Sequence, residues 1–203
     1  MANATTRYRR AFSALFLALM VGLSAVPPAT AGRVAPIQEP PVYVLRGALG
    51  IFSSGMDALA DEMNANGIAA VSKPFEDWRE YTASIAKAYQ THRYPIVLVG
   101  HSWGANTSLL MASELAKRNI PVALLVFYDI TNSARIPPNV RRVINYRSTS
   151  AIGGAVEVVG GSGFSGVIDN VTRADLNHVQ IDKADDLHRQ TIDAIRNIFG
   201  RSK

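Results

Sequence analysis

The 203-residue chain contains no cysteine. Disulfide bonds, thiolate metal ligands and a cysteine nucleophile are therefore excluded. If the chain is exported, its stability has to come from a hydrophobic core, because no disulfide framework can form. Histidine is also scarce, with four in the whole chain, so any chemistry that needs an imidazole has few candidates.

The longest apolar run lies at the amino end. Residues 1–31 contain three early arginines, then an apolar stretch, then two prolines and an Ala-Thr-Ala that ends at Ala31. This pattern predicts a secretory signal peptide, so that residues 32–203 form a periplasmic or secreted protein by an export route that stays open. The apolar stretch is shorter than the roughly 20 residues that span a bilayer, so we expect no stable membrane span after cleavage. A retained membrane anchor is the alternative.

Basic residues are few once this segment is removed. The formal charge of +5 falls to +2, since residues 1–31 hold three arginines and no acidic residue. The remainder has no run of basic residues, and we expect no nucleic-acid partner. Residues 32–203 are numerous enough for one domain with a sizeable core.

Short β-branched runs alternate with amphipathic helical patterns along residues 32–203. Strands are predicted at 42–45, 68–71, 96–99, 122–128, 140–146 and 156–159, and helices at 55–66, 78–91, after residue 104 and from Asp182 onward. Because parallel strands need crossover connections, this alternation predicts an α/β fold with a doubly wound, mostly parallel sheet and helices on both faces. The glycine-rich residues 153–166 are expected to form a flexible turn or hairpin.

The terminal helix has a predicted cap and a predicted buried stripe. Asp182 is expected to cap its amino end. The stripe consists of residues at helical spacing, namely Ala184, Leu187, Thr191, Ile195 and Ile198.

Residues 100–104 read Gly-His-Ser-Trp-Gly, between an apolar run and a helical pattern. G-x-S-x-G is the pattern of a nucleophile elbow, a tight turn from strand to helix that exposes a serine hydroxyl at the edge of a sheet. Glycines are needed where side chains would collide with the turn. The pattern makes Ser102 a candidate nucleophile, and a serine in an ordinary strand-to-helix turn is the alternative.

A serine hydroxyl needs a base to accept its proton. His178 is the candidate, because it follows the last predicted strand and precedes the terminal helix. His101 lies inside the elbow, where the geometry points it away from Ser102, so we expect it to pack or to support another site residue. His92 ends a helix, and His188 is expected to be half solvated.

The base in turn needs a carboxylate, and Asp129 is the candidate. It ends the apolar run at 122–128, and open α/β sheets build their sites at the carboxyl ends of central strands. An aspartate that only stabilises a turn is the alternative interpretation. Asp169 and Asp175 are the competing acids.

The developing oxyanion needs backbone N–H donors. One is expected from Trp103, directly after the candidate nucleophile. The other is expected from the small-residue loop at 46–50, where Ala48 or Leu49 is the candidate.

With these residues in order, the chain resembles the α/β-hydrolase superfamily, in particular its small lidless lipase and cutinase-like serine esterases. The resemblance rests on residues 42–47, the elbow, Asp129 and His178. It implies hydrolysis of a small-molecule or lipid-like ester or thioester through an acyl-enzyme, with no cofactor and no metal. Only residues 130–139 separate two strands where many relatives insert a cap, which implies an open site.

Two departures from the family pattern bear on the site. Arg46 stands where a histidine often precedes the oxyanion glycine. Residues 147–150 offer no carboxylate where most of the family places its acid, which favours the lipase-like placement at Asp129. Two other functions stay open: a binding protein that has the fold without catalysis, and an acyltransferase with the same triad.

Overall fold

The computed structural model describes residues 41–48, 53–150 and 156–200. The predicted signal peptide and Leu49 lie outside these residues. Within the described part of the chain, no helix is both long enough and apolar enough to cross a bilayer.

In the described residues, eight strands form two parallel sheets. The strands are β1 (Val42–Leu45), β2 (Ala70–Lys73), β3 (Val97–His101), β4 (Leu124–Tyr128), β5 (Ala134–Ile136), β6 (Arg142–Ser148), β7 (Val158–Gly160) and β8 (Val167–Arg173). The main sheet has the order β2-β1-β3-β4-β6-β8, and all its pairs are parallel. Strands β5 and β7 form a separate two-stranded sheet.

Helices cover both faces of the main sheet. They are α1 (Ser54–Ala65), α2 (Trp78–Thr91), α3 (Trp103–Ala116) and α4 (Asp185–Gly200), with a 3-10 helix at Ile181–Lys183. Alternate residues of β1 point to opposite faces. Val42 and Val44 share one buried cluster with α1 and α4, whereas Tyr43 and Leu45 share another with α2 and α3. The doubly wound parallel sheet predicted from the sequence is therefore confirmed.

The direction of winding reverses at β1. This strand lies between β2 and β3, so the chain first winds outward to β2 and then crosses back over β1 to β3. In open α/β sheets, such a reversal leaves a crevice outside the carboxyl ends of the strands. The register sets two residues side by side at this edge: His101 pairs with Tyr128, so Ser102 and Asp129 leave adjacent strands at the same level.

The carboxyl-terminal part of the sheet differs from the prediction. Residues 156–159 were expected to form the last strand, but β7 belongs to the small sheet, and the last strand of the main sheet is β8. The described part of the glycine-rich stretch is not a hairpin, since β7 pairs in parallel with β5, but it contains a turn at 161–164, the other predicted alternative. Strand β8 lies at the sheet edge and reads Val-Ile-Asp-Asn-Val-Thr-Arg, so it lacks the continuous apolar run of a central strand.

The predicted cap of the terminal helix is wrong. Helix α4 begins at Asp185, and Asp182 lies in the 3-10 helix before it. The carboxylate of Asp182 instead accepts a hydrogen bond from the Gly55 N–H at 3.0 Å, in the first turn of α1. A carboxylate satisfies the unpaired N–H groups of a helix amino end wherever the fold brings the two together. Burial raises the pKa of Asp182.

His188 is also not half solvated, because α4 packs it against α1 with 2% exposure. Its Nε2 lies 2.7 Å from the Asp182 carbonyl oxygen, and its Nδ1 lies 3.2 Å from Glu62 Oε1. Of the predicted stripe, three residues are fully buried and two are half-buried. The buried ones are Leu187, Thr191 and Ile195, and the half-buried ones are Ala184 and Ile198.

Candidate active site

Ser102 lies in the turn between β3 and α3. Its backbone has φ +57° and ψ −121°, a combination that a residue with a side chain adopts only under strain. A Cβ on Gly100 would lie 2.3 Å from the Gly104 carbonyl oxygen, and a Cβ on Gly104 would lie 2.3 Å from the Leu45 carbonyl oxygen. The turn therefore tolerates only glycine at both places, as the elbow pattern predicts.

Three predicted residues meet at the carboxyl edge of the sheet. His178 Nε2 lies 3.0 Å from Ser102 Oγ, and His178 Nδ1 lies 3.1 Å from Asp129 Oδ2. An ionised carboxylate only accepts, so Nδ1 carries a proton and donates it to Asp129. In the neutral ring Nε2 is then unprotonated and accepts the Ser102 Oγ–H. This arrangement allows the imidazole to take the serine proton.

Asp129 is fully buried at the end of β4, with φ +51°. Aspartate tolerates this left-handed conformation better than most residues. Besides the bond from His178, its Oδ1 accepts from the Ser148 N–H at 2.5 Å, and its Oδ2 accepts from the Ser148 hydroxyl at 2.6 Å. Three donors thus compensate a buried charge that would otherwise be costly.

The two competing acids are engaged on the surface. Asp169 Oδ2 accepts from Arg142 at 2.8 and 3.0 Å. Asp175 binds Arg173 with both oxygens, and these hydrogen bonds lower the pKa of Asp175 to about 2. The structure therefore brings Asp129, and neither of these two acids, to the ring of His178.

Two backbone segments flank Ser102 as candidate oxyanion donors. The N–H of Trp103 is the first of α3 and has no intrahelical acceptor, and a helix amino end favours negative charge. The loop after β1 runs against the serine: a Cβ on Gly47 would lie 2.9 Å from Ser102 Cβ. Ala48 follows directly in this loop, whereas Leu49 lies outside the described residues.

Exposed apolar side chains stand next to Ser102 and His178 in the chain. Trp103 is 52% exposed and packs edge-on against Phe75, with ring centroids 5.5 Å apart. Val179, next to His178 in the chain, is 43% exposed. The surface beside Ser102 and His178 is thus suited to an apolar group.

Arg46, the departure from the family pattern, pairs with Asp57 of α1 at 3.4 Å.

His101 is buried with 1% exposure, and its ring contacts Ser53 and the His178 backbone, so it supports other site residues, one of the two roles predicted for it. Its Nδ1 lies 2.7 Å from Ser53 Oγ, and its Nε2 lies 2.9 Å from the His178 carbonyl oxygen. Burial is the main cause that lowers the pKa of His101 to about 4, and the neighbouring His178 adds to it. The ring is therefore neutral near pH 7.

Sequence reasoning missed two hydroxyls at the site, those of Ser53 and Ser148. The only signal for Ser148 was its place shortly after the predicted strand at 140–146. In the structure it is the last residue of β6, which pairs with β4. Ser53 precedes a helix, which is the usual position of a capping serine, so its sequence position suggests a different role.

No protein-family model matches the sequence, and no curated protein matches it. Among solved structures, the chain is similar to a protein from Xanthomonas campestris pv. campestris described as a hydrolase of the alpha/beta superfamily, with 14% identity over 77% of this chain and 98% of that one, and a TM-score of 0.43.

Two thioesterases are also similar. RedJ, from the prodiginine pathway of Streptomyces coelicolor, has 12% identity over 76% of this chain and 86% of that one, with a TM-score of 0.46. The NocB thioesterase domain of the nocardicin cluster has 14% identity over 78% of this chain and 93% of that one, with a TM-score of 0.44. The strand order and the helices on both faces, not these similarities, define the fold.

Proposed function

We propose that this chain is a serine hydrolase that cleaves carboxylic esters or thioesters through an acyl-enzyme on Ser102. The observation that carries the proposal is the continuous contact from Ser102 Oγ through the His178 ring to Asp129, at 3.0 and 3.1 Å. The strained turn that presents Ser102 at the sheet edge supports the same role.

In the acylation step, Ser102 Oγ attacks the substrate carbonyl carbon while His178 Nε2 takes the serine proton. The negative charge that forms on the carbonyl oxygen is stabilised by the N–H group of Trp103 and by that of Ala48 or Leu49. Asp129 accepts from Nδ1 throughout, so it holds the ring in position and stabilises the imidazolium. The tetrahedral intermediate then breaks its bond to the leaving alkoxide or thiolate, which receives the proton from Nε2.

In the deacylation step, a water molecule takes the place of the leaving group. His178 Nε2 accepts one of its protons as the water oxygen attacks the acyl carbon. When this second intermediate breaks, Ser102 Oγ leaves and recovers the proton from His178. The product is the free carboxylic acid, and the enzyme returns to its starting state.

We infer a small-molecule or lipid-like ester as substrate and an open, lidless site. The exposed Trp103 and Val179 offer apolar contact to an acyl or alkyl group beside Ser102. In the connection at 130–139, where many relatives carry a cap, the chain forms β5, which pairs with β7. We infer no nucleic-acid partner, in keeping with the low net charge of residues 32–203.

We further propose that the chain is exported to the periplasm or secreted, on the basis of residues 1–31 alone. Signal peptidase would cleave after Ala31, so that the mature protein begins at Gly32 and has no stable membrane span. Amino-terminal sequencing of the exported protein tests this. Retention of residues 1–31 would instead indicate a membrane-anchored enzyme.

Turnover of a graded panel of p-nitrophenyl esters and acyl thioesters tests the proposed activity. We expect hydrolysis by the wild-type protein and none by Ser102→Ala, whose fold is checked by circular dichroism. Addition of an alcohol acceptor distinguishes the rival transferase: an acyl product found mainly on the alcohol would contradict hydrolysis. Absence of turnover and of labelling by a fluorophosphonate would favour a binding protein.

A further inference from the structure

Ser53 occupies the capping position of α1 but does not cap it. Asp182, from the 3-10 helix, instead accepts from the Gly55 N–H in the first turn at 3.0 Å. The Ser53 hydroxyl is thereby left for another partner, and with 1% exposure it has to find that partner inside the protein. It lies 2.7 Å from His101 Nδ1.

The direction of each hydrogen bond in this network follows from one acceptor. The His178 carbonyl oxygen can only accept, so the proton of the neutral His101 ring lies on Nε2, 2.9 Å away. His101 Nδ1 is then an acceptor and takes the Ser53 hydroxyl proton. Ser53 Oγ in turn accepts from the Gly47 N–H at 2.9 Å.

The chain of hydrogen bonds therefore runs without a break from Gly47 through Ser53 and His101 to the backbone of His178. Its two ends are the two loops that meet at Ser102. One is the loop after β1, which contains Gly47 and the candidate oxyanion donor Ala48. The other is the loop after β8, which carries the candidate base.

The charge state of His101 suits this place. Its ring lies 4.8 Å from the His178 ring, so a positive charge on His101 would oppose the imidazolium that forms on His178 during catalysis. Burial holds the pKa of His101 near 4, with Asp129 and Lys183 as the other charged groups that act on it. A neutral ring supports the His178 backbone without this repulsion.

We propose that Ser53 and His101 are positioning residues that link the oxyanion loop to the loop of the base and so set the distance between His178 and Ser102. The kinetic consequence of this link rests on the proposed hydrolase function. The hydrogen-bond chain itself does not depend on that function.

Two substitutions at His101 separate the two halves of the link. In His101→Gln the side-chain amide reaches the place of Nε2 and can still donate to the His178 carbonyl. In His101→Asn the shorter amide reaches the place of Nδ1 and can still accept from Ser53, but it loses the His178 carbonyl. We expect kcat to fall about 10²-fold in the asparagine variant, since a displacement near 1 Å has this cost, and about tenfold or less in the glutamine variant.

A matched pair of serine variants controls for the loss of a buried hydroxyl. Ser53→Ala interrupts the series of hydrogen bonds between Gly47 and His178 and should lower kcat about tenfold. Ser108→Ala removes a buried hydroxyl whose one partner among the described residues is the Ala105 carbonyl within α3, and it should leave kcat unchanged. In every variant kcat is expressed per site titrated with a fluorophosphonate, and the pH profile of kcat/KM is recorded.

These readouts distinguish positioning from a merely structural role. Positioning predicts a lower kcat per titrated site and a shifted pH profile of kcat/KM. It also predicts that His101→Gln keeps most of the wild-type kcat whereas His101→Asn does not. Equal effects of the two His101 variants, or a loss confined to the number of titrated sites, would overturn the proposal.

A further test, which does not depend on activity, examines the hydrogen bonds of His101 directly. Nitrogen-15 NMR of the histidine rings in the mature wild-type protein should show His101 neutral and protonated on Nε2 from pH 8 down to about 5. Protonation on Nδ1, or titration close to the ordinary value, would overturn the hydrogen-bond chain. Persistent turnover by Ser102→Ala would overturn the proposed function instead, so the two failures are distinguishable.

Discussion

Asp129→Asn is the substitution that most sharply probes the site. Asparagine has nearly the same shape as aspartate, so the one change is from a carboxylate to an amide. Asparagine tolerates the φ of +51° at this position, whereas alanine would add backbone strain of its own. The amide replaces one accepting oxygen by an N–H donor. The question is which of the two oxygens of the buried carboxylate is replaced.

Both orientations of the amide conflict with the site. If the nitrogen takes the place of Oδ1, it faces the Ser148 N–H, and two buried donors meet at a cost of about 1–3 kcal/mol. If it takes the place of Oδ2, it donates to His178 Nδ1, and the ring proton moves to Nε2. The Ser148 hydroxyl can rotate to suit this second orientation, which is therefore the preferred one. Nε2 then points a proton at Ser102 and cannot accept one.

The expected loss follows from this wrong tautomer. By analogy with other serine triads, kcat should fall about 10⁴-fold, equivalent to about 5 kcal/mol of transition-state stabilisation. The assay is kcat on one p-nitrophenyl ester, expressed per folded protein, with thermal unfolding measured in parallel.

Asp169→Asn is the matched control. It removes the same charge from a surface pair with Arg142, a kind of pair that contributes about 0–1 kcal/mol to stability. We expect its kcat to stay near the wild-type value. A severe loss in Asp169→Asn together with a near-normal rate in Asp129→Asn would refute the reasoning.

Three further outcomes are expected. Gly55→Ala should lower the free energy of unfolding, measured in urea melts, by at least about 1–3 kcal/mol, because the alanine Cβ would lie 1.9 Å from the Asp182 carbonyl oxygen. Wild-type stability of this variant would contradict the close approach of Asp182 to Gly55. Ser148→Ala should lower kcat about tenfold, since Asp129 loses the hydroxyl donor at 2.6 Å; an unchanged kcat would show that this bond does not orient the carboxylate. As pH falls from 6.5 to about 4, the unfolded chain protonates at His101 before the native protein does, so this group should lower the free energy of unfolding by about 3 kcal/mol over that window. His101→Gln should lack this component, and equal pH dependence of both proteins in urea melts would contradict the neutral ring.

The central part of the fold was predictable because its signals are local. The apolar run of β1 is observed at 42–45 and the helical pattern of α2 at 78–91, as predicted. Ser102 was predicted from the G-x-S-x-G pattern, Asp129 from its place after an apolar run, and His178 from its place before the terminal helix. The parallel register then brings the first two side by side. Strand ends are readable from sequence, and a parallel sheet aligns them at one edge.

The parts that sequence reasoning missed depend on tertiary partners. Strand β8 mixes polar and apolar residues because it is an edge strand, so its composition resembles that of a loop. Asp182 has the sequence position of a cap for α4, yet it caps α1, which lies far away in the chain. Ser53 and Ser148 acquire their places at the site only through partners that folding brings to them.

The most direct test of the central claim is fluorophosphonate labelling of the wild-type protein, followed by peptide mapping by mass spectrometry. A hydrolase with Ser102 as nucleophile predicts one phosphonylated peptide, the one that contains Ser102. It also predicts no label in Ser102→Ala and much slower labelling in His178→Ala, because the serine needs its base. A wild-type protein that takes no label, or a Ser102→Ala variant that keeps it, would contradict the account.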